Sequence, residues 1–381
     1  MVLSRKLFFY PLLAFIAALS LTTCFSDYRG DIGTLVFSFQ NPGYSRLIMD
    51  PGEVESFEHE IILKGPGGTF TRKFTGYGVW SIELIPGSWY VKIRAIGETP
   101  VEYIEFFPET PTMLRAMGMK TVEVKAGQKT PVKIDMFSAT EVTSWEQLSE
   151  VINILSEFLD EQRREGIIVV RGELFADKLI PIENLTVTIM AEGDDATISR
   201  GIDDYVEGTY GGSFFEISDG GKLILKGDYG AELIFDGENE NSESYLPLLF
   251  LYHDGSLEMY DGAVLQNNYN QVNWEPGGAV YVGIVSEFTM HGGIIRNNTA
   301  YQGGGVYVQD EGIFTKTGGI IYGDDDDKWK NTADTGNGNA VLVQMKYYFD
   351  FFIKNRPERQ KNSTAGRGIN LNSENDKNWD K

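Results

Sequence analysis

The chain holds one cysteine, Cys24, and three histidines in 381 residues. An internal disulfide is therefore excluded, and a zinc site has too few Cys and His ligands to assemble easily. Positive charge is scarce as well: 33 Lys and Arg stand against 55 Asp and Glu. Residues 1–23 contain Arg5 and Lys6 but no acid, so the chain from Cys24 onward carries 31 basic and 55 acidic residues, a formal charge of about −24. Such a surface repels phosphate backbones and anionic headgroups, which removes nucleic acid from the expected partners. Hydrophobic runs are short: residues 7–21 fall below the roughly 20 residues that cross a bilayer, and Pro11 interrupts them. The glycine clusters at 211–212 and 303–305 lack the Lys-Ser/Thr of a phosphate loop and read as turns.

What is present begins with an address. Arg5 and Lys6, an apolar run and a short polar stretch before Cys24 follow the layout of a secretory signal. Leu21-Thr22-Thr23-Cys24 resembles a bacterial lipobox, with Thr23 departing from the usual Gly, Ala or Ser. That resemblance implies that residues 1–23 are removed and that Cys24 carries a diacylglycerol anchor. Each buried CH2 contributes about 0.8 kcal/mol, so several chains on one residue hold a protein to a membrane where one would not. Phe25 and Ser26 are not the acidic residue that retains some lipoproteins at the inner membrane, so the expected location is the outer membrane or cell surface. Residues 24–32 read as a tether.

From 33 to 138 the hydrophobic period is two. Leu35, Phe37 and Phe39 share a face, as do Trp80, Ile82 and Leu84, then Trp89, Val91, Ile93 and Ala95, then Val132, Ile134 and Met136. Pro66-Gly67-Gly68, Pro86-Gly87 and Ala126-Gly127 fall between them as turns. Short alternating strands with frequent turns predict an antiparallel β-sandwich. The run from Trp80 through Pro86-Gly87 to Ile93 resembles the strand, turn, strand hairpin of transthyretin-like, carboxypeptidase-regulatory-like domains. That likeness implies a structural or sugar-tolerant module.

Residues 143–165 change period. Trp145, Leu148, Val151, Ile152, Leu155, Phe158 and Leu159 recur at three and four, Ser144 with Gln147 forms a capping box, and Gly166 is a stop signal. One amphipathic helix is predicted.

Beyond Gly166 the sequence repeats. Gly278-Ala279-Val280-Tyr281-Val282 returns 26 residues later as Gly304-Gly305-Val306-Tyr307-Val308. Stepping by 31, Leu257, Met259, Gly262 and Val264 align with Phe288, Met290, Gly293 and Ile295; stepping by 34, Ile217, Leu223 and Leu225 align with Leu251, Leu257 and Met259. Stepping by 35, Val306, Val308 and Phe314 align with Val341, Val343 and Phe349. One column thus reads Leu223, Leu257, Phe288, Phe314, Phe349, all large and apolar. Fixed apolar columns with variable loops are what a coiled sheet needs to bury the same inward position in every turn. A second column, Asn267, Asn298, Asp324, resembles the asparagine ladder of right-handed parallel β-helices, and Gly262, Gly293, Gly319 fit a corner of unusual backbone angles. The repeats resemble pectate-lyase-like β-helices and repetitive bacterial surface lipoproteins. The expected fold is all-β: an N-terminal β-sandwich, then at 139–381 a right-handed parallel β-helix of about six rungs between 166 and 355, capped on its open edge by the amphipathic helix, with a polar tail.

The columns also test for chemistry. Asp261 aligns with Gly292 and Gly318, Glu258 with Thr289 and Thr315, and Asp254 with Val285, so no acidic column forms. His291 aligns with Tyr260 and Thr317, and His253 with Ile284, leaving neither a carboxylate in register; both read as surface histidines. Asp228, Asp236 and Glu238 stay unplaced. Asp324, Asp325, Asp326 and Asp327 are a weak candidate for calcium, lacking EF-hand spacing, and read first as a solvated loop. No cofactor is expected. Tyr281 and Tyr307, lying between inward valines, are predicted to point outward above Phe250 as a binding strip for a glycan or a host or envelope protein. The leading functional reading is a non-enzymatic envelope lipoprotein that uses its β-helix for adhesion. A polysaccharide lyase or glycoside hydrolase, and a structural envelope protein without specific ligand, are the alternatives.

Overall fold

The computed structural model describes residues 32–39, 56–76, 78–108, 110–157, 164–200, 212–238, 246–270, 276–323, 328–334 and 338–343. Cys24, Phe349 and Asp324 to Asp327 lie outside them. The described chain is all-β with a single α-helix. It divides into two compact units, one of residues 1–97 and 117–136, the other of 98–116 and 137–381.

In the first unit, strand Gly33–Phe39 pairs antiparallel with Gly78–Leu84 and parallel with Lys129–Val132. Strand Glu58–Gly65 pairs antiparallel with Gly68–Thr75 on one side and Gly87–Glu98 on the other. The period-two reading holds: Leu35, Phe37, Trp89, Val91, Ile93 and Ala95 are buried, as are Val132, Ile134 and Met136. Trp80 of one sheet meets Phe74 and His59 of the other, at 4.6 and 6.3 Å between ring centroids. The expected hairpin at Pro86-Gly87 is not one. Gly78–Leu84 and Gly87–Glu98 belong to different sheets, so this turn carries the chain from one sheet to the other. It is closed by its own contacts: Trp89 Nε1 donates to the Ile85 carbonyl at 3.0 Å, and at Gly87, with φ +137°, a Cβ would come within 2.6 Å of Pro66 Cγ.

In the second unit, helix α1 spans Trp145–Glu157 and buries Trp145, Leu148, Val151, Ile152 and Leu155 against neighbouring strands. Its start is the predicted box with a shifted return arm. Gln147 N–H donates to Ser144 Oγ at 3.2 Å, while Gln147 Oε1 accepts from the N–H of Thr143, one residue before the cap, at 2.8 Å. The helix does not run to 165, because Glu165 already opens strand Glu165–Ala176, in register with Thr186. Leu155 packs so tightly on Gly166 that a Cβ there would meet it at 2.5 Å.

The repeats form parallel ladders. The first runs through Ile180–Glu183, Phe215–Ser218, Leu249–Leu251, Val280–Val282, Val306–Val308 and Val341–Val343. The second runs from Glu165–Ala176 through Thr186–Arg200, Lys222–Asp228, Ser256–Met259 and Glu287–Met290 to Ile313–Lys316. The third joins the latter half of Thr186–Arg200 to Leu233–Asp236, Ala263–Gln266, Ile294–Arg296 and Ile320–Ile321. The second ladder's first edge is not left to α1 alone, since Phe137–Val142 pairs parallel with Glu165–Ala176 and satisfies its backbone groups.

The apolar column is as read: Leu223, Leu257, Phe288 and Phe314 are in register and buried. One alignment slips. Val264 pairs with Ile294 rather than Ile295, because the repeat loses a residue between Gly293 and the third ladder. The corner glycines all take positive φ, +83° at Gly262, +87° at Gly293 and +76° at Gly319. A Cβ on Gly293 would lie 2.6 Å from the Ala263 carbonyl oxygen, so no side chain fits where successive repeats touch.

Candidate functional site

The same one-residue slip corrects the asparagine column. Asn267 stands beside Asn297, both left-handed at φ +56°, and the buried column is Asn268, Asn298 and Asn331. Asn298 Oδ1 accepts from the Asn268 N–H at 3.1 Å, and Asn331 Oδ1 accepts from the N–H and the Nδ2 of Asn298, both at 2.9 Å. Their amide donors also reach carbonyls that the turn would strand, as Asn331 Nδ2 does to Ile295 and Tyr322 at 3.0 and 2.7 Å. At one end Arg200, buried against Phe214, donates to Asn268 Oδ1 at 2.9 Å, and burial pushes its guanidinium down to about 10. This column is scaffold, since each amide is committed to backbone or to its neighbour.

Phe250, Tyr281 and Tyr307 do stack. Phe250 and Tyr281 are 4.6 Å apart and 3° from parallel, and Tyr281 and Tyr307 are 5.6 Å apart at 14°. They are not an exposed strip, because Tyr281 is 8% and Tyr307 5% exposed. The glycines of the repeat cause this. Backbone at Gly277 and Gly303 passes so near Tyr307 that a Cβ would come within 3.3 and 2.9 Å of Tyr307 Cβ, and Gly283 lies as closely on the Tyr281 ring. Tyr281 Oη donates to Gln309 Oε1 at 2.8 Å, while burial, and then the neighbouring Tyr281, raise the Tyr307 hydroxyl above the usual tyrosine range.

The open surface is the outer face of the second ladder. Alternation turns Lys222, Glu258, Tyr260, Thr289, His291 and Thr317 away from the buried column, each half-buried or exposed. Lys222 Nζ reaches Glu258 Oε1 at 2.6 Å, and Tyr260 Oη donates to Glu258 Oε2 at 2.9 Å. His291, one repeat on, stacks on Tyr260 at 4.7 Å and 25°, with Nδ1 placed 3.1 Å from Thr317 Oγ1. Burial works to raise the Glu258 carboxyl, but the hydrogen bonds from Lys222 and Tyr260 and the nearby positive charge outweigh it and hold it below the usual carboxylate value. The Tyr260 hydroxyl is raised, by burial first and then by the Glu258 bond and charge. Tyr260, His291 and Thr317 are the column already aligned, but a search for a carboxylate in register missed Glu258, which joins that column two residues along its own strand. The legible signal was Glu-x-Tyr on one outward face followed 31 residues later by His291.

Two of the three unplaced acids are occupied. Asp236 accepts from Gln266 Nε2, Asn267 Nδ2 and the Glu238 N–H at 2.7, 2.8 and 2.9 Å, and Gln266 Oε1 accepts from Arg296 Nε at 2.9 Å. Asp228 accepts from the Tyr229 N–H at 3.0 Å. Among the described residues no group of His, Cys, Asp and Glu is placed to hold a metal ion, and no helix is long and apolar enough to cross a membrane. Compared with protein-family models, curated proteins and solved structures, the chain matches none.

Proposed function

We propose that this chain is a lipid-anchored envelope protein in which a β-sandwich precedes a right-handed parallel β-helix, and that it adheres to a glycan or to a host or envelope protein without catalysing a reaction. The address at Arg5, Lys6 and Cys24 supports the anchor. Six parallel strands in the first ladder, with corner glycines and an asparagine column, support the coil. The observation that carries the binding role is the outer face of the second ladder, where Lys222, Glu258, Tyr260 and His291 stand in one ordered, half-open patch. Ordered polar side chains on strands bind with little loss of freedom. The stack of Phe250, Tyr281 and Tyr307 is left out of the contact, because both of its tyrosines are buried.

A polysaccharide lyase or glycoside hydrolase is the second reading, favoured by the same carboxylate, phenol and imidazole. Against it, Glu258 is held ionised by two donors, whereas glycoside hydrolysis needs a protonated acid and a second carboxylate about 5–9.5 Å away. One experiment separates them. The purified protein is screened on a glycan array and incubated with uronate-containing polymers, beside Tyr260→Ala/His291→Ala. Glycan binding lost in the double variant, without new reducing ends or unsaturated products, is the expected result. Product formation abolished by Glu258→Gln overturns adhesion in favour of the enzyme. Fatty-acid labelling that persists in Cys24→Ser removes the anchor.

A further inference from the structure

The turns that join the first ladder to the second lie one above another, and one of them departs from its neighbours. Asp254, Val285 and Glu311 occupy equivalent places and share a left-handed backbone, with φ of +67°, +63° and +71°. Asp and Asn tolerate that conformation best, a longer unbranched residue such as Glu less well, and a β-branched side chain there is strained. Val285 nevertheless occupies it, is 55% exposed, and follows Ile284, 40% exposed. Tyr252 in the repeat before is 39% exposed and stacks on His253 at 3.7 Å; Ile313 in the repeat after is 37% exposed. Four large apolar side chains therefore stand partly open along one ridge, and neither Ile284 nor Val285 is buried in the core. Strain retained at an exposed apolar residue marks a contact more readily than a fold requirement.

The surroundings decide what kind of contact. Exposed Asp219 and Asp254 flank the ridge on one side and Glu311 on the other, with Glu287 and Asp310 beside them. The turns 218–221, 252–255, 283–286 and 309–312 contain no Lys or Arg. A second copy would set these acids against themselves, and an anionic bilayer would be repelled in the same way. Three of the four side chains are aliphatic, and Tyr252 has one face taken by His253 at 3.7 Å, so the ridge offers little of the flat, hydroxyl-edged surface that suits a sugar ring. We infer that the ridge of Tyr252, Ile284, Val285 and Ile313 docks a protein segment that presents an apolar side chain between basic ones. The ridge adjoins the outer face of the second ladder, where Ile313 and Glu287 begin their strands, but its apex at Ile284 and Val285 lies outside the cluster of Lys222, Glu258, Tyr260 and His291, and the inference does not depend on how that cluster functions.

The test uses three labelled peptides in fluorescence anisotropy: one with Leu and Phe set between lysines, the same peptide with Ser for Leu and Phe, and one with Glu for Lys. The protein is the full chain as wild type, Ile284→Ser/Val285→Asn and Asp254→Lys/Glu311→Lys, with Val79→Ser as a control at an exposed valine elsewhere. The Lys-Leu-Phe peptide binds wild type and the control alike, and the Ser and Glu peptides bind at least about tenfold more weakly. Ile284→Ser/Val285→Asn, which changes no charge, weakens binding about tenfold, and Asp254→Lys/Glu311→Lys does so with a reduced dependence on salt. Because Asn accepts the left-handed backbone, the first variant also melts no lower than wild type, so its loss is not unfolding. Absence of binding, equal binding of the Leu-Phe and Ser peptides, or binding unaffected by Ile284→Ser/Val285→Asn each overturns the inference.

Discussion

Two ladders of one repeat treat their outward residues in opposite ways. In the first, the two opening strands still turn Glu183 and Glu216 outward, but from Leu249–Leu251 through Val280–Val282, Val306–Val308 and Val341–Val343 no charged residue remains, and the outward Tyr281 and Tyr307 are buried against glycine backbone. In the second, Ser256–Met259, Glu287–Met290 and Ile313–Lys316 alternate, and their outward residues stay open to solvent. A parallel strand covered on both sides needs a continuous apolar run, whereas one covered on a single side needs alternation. Inward direction alone therefore says nothing about whether the opposite face is wet; composition of the outward position does.

The sharpest test of that contrast is truncation on either side of each ladder. Phe288→Ala empties a fully buried place in the apolar column and is expected to cost about 3–5 kcal/mol in urea unfolding. Tyr307→Ala, though outward, is expected to cost about 3 kcal/mol for the same reason. Tyr260→Ala, equally outward but on the open ladder, is expected to cost under about 1 kcal/mol. A Tyr307→Ala variant no less stable than Tyr260→Ala would break the comparison. At the corner, Asn298→Ala strands the Asn268 N–H and the carbonyls of Leu265 and Arg296, so a loss of roughly 2–3 kcal/mol is expected, against about 1 kcal/mol or less for Asn267→Gly next to it, where glycine keeps the left-handed backbone that alanine would strain. Equal losses would put the working amide back in the outer column.

What was legible follows from which interactions repeat. Leu223, Leu257, Phe288 and Phe314 were readable because an inward place is filled by a large apolar side chain in every repeat whatever the loops do. The turn amides were misread by one residue because Asn-Asn occurs at both 267–268 and 297–298, and only pairing of Val264 with Ile294 settles which member faces in. Pro86-Gly87 looked like a hairpin turn because a tight turn has the same residues whether the chain returns to its own sheet or crosses to another. The Tyr260 and His291 column was legible, but its carboxylate was not, since Glu258 joins it along the strand and Lys222 reaches Glu258 diagonally rather than in register. Burial of the tyrosines was available in the glycines flanking Val-Tyr-Val, since Gly283 lies against the Tyr281 ring and Gly277 and Gly303 lie against the base of Tyr307.

The smallest effect tests whether the open patch is electrostatically organised as the distances imply. The Glu258 carboxyl is held below its ordinary value of 4.5 in the folded protein, by Lys222 and Tyr260 working against burial. A group depressed on folding stabilises the native state at pH above its unfolded value, and that contribution disappears as pH falls through the folded value. Glu258→Gln keeps the shape and can still accept from Tyr260, but it carries no charge to meet Lys222. The variant should therefore be slightly less stable than wild type from pH 7 down to about 5, and the gap should close as pH falls below the ordinary carboxylate range. Melting temperatures of both proteins from pH 7 to 3 measure this directly, and raising salt should narrow the gap at pH 7, since Lys222 and Glu258 are 33% and 23% exposed. A gap that persists unchanged to pH 3 would mean that Glu258→Gln acts through shape rather than through charge, and the second ladder's outer face would then differ from the first ladder's only in polarity, not in being held together by an ion pair.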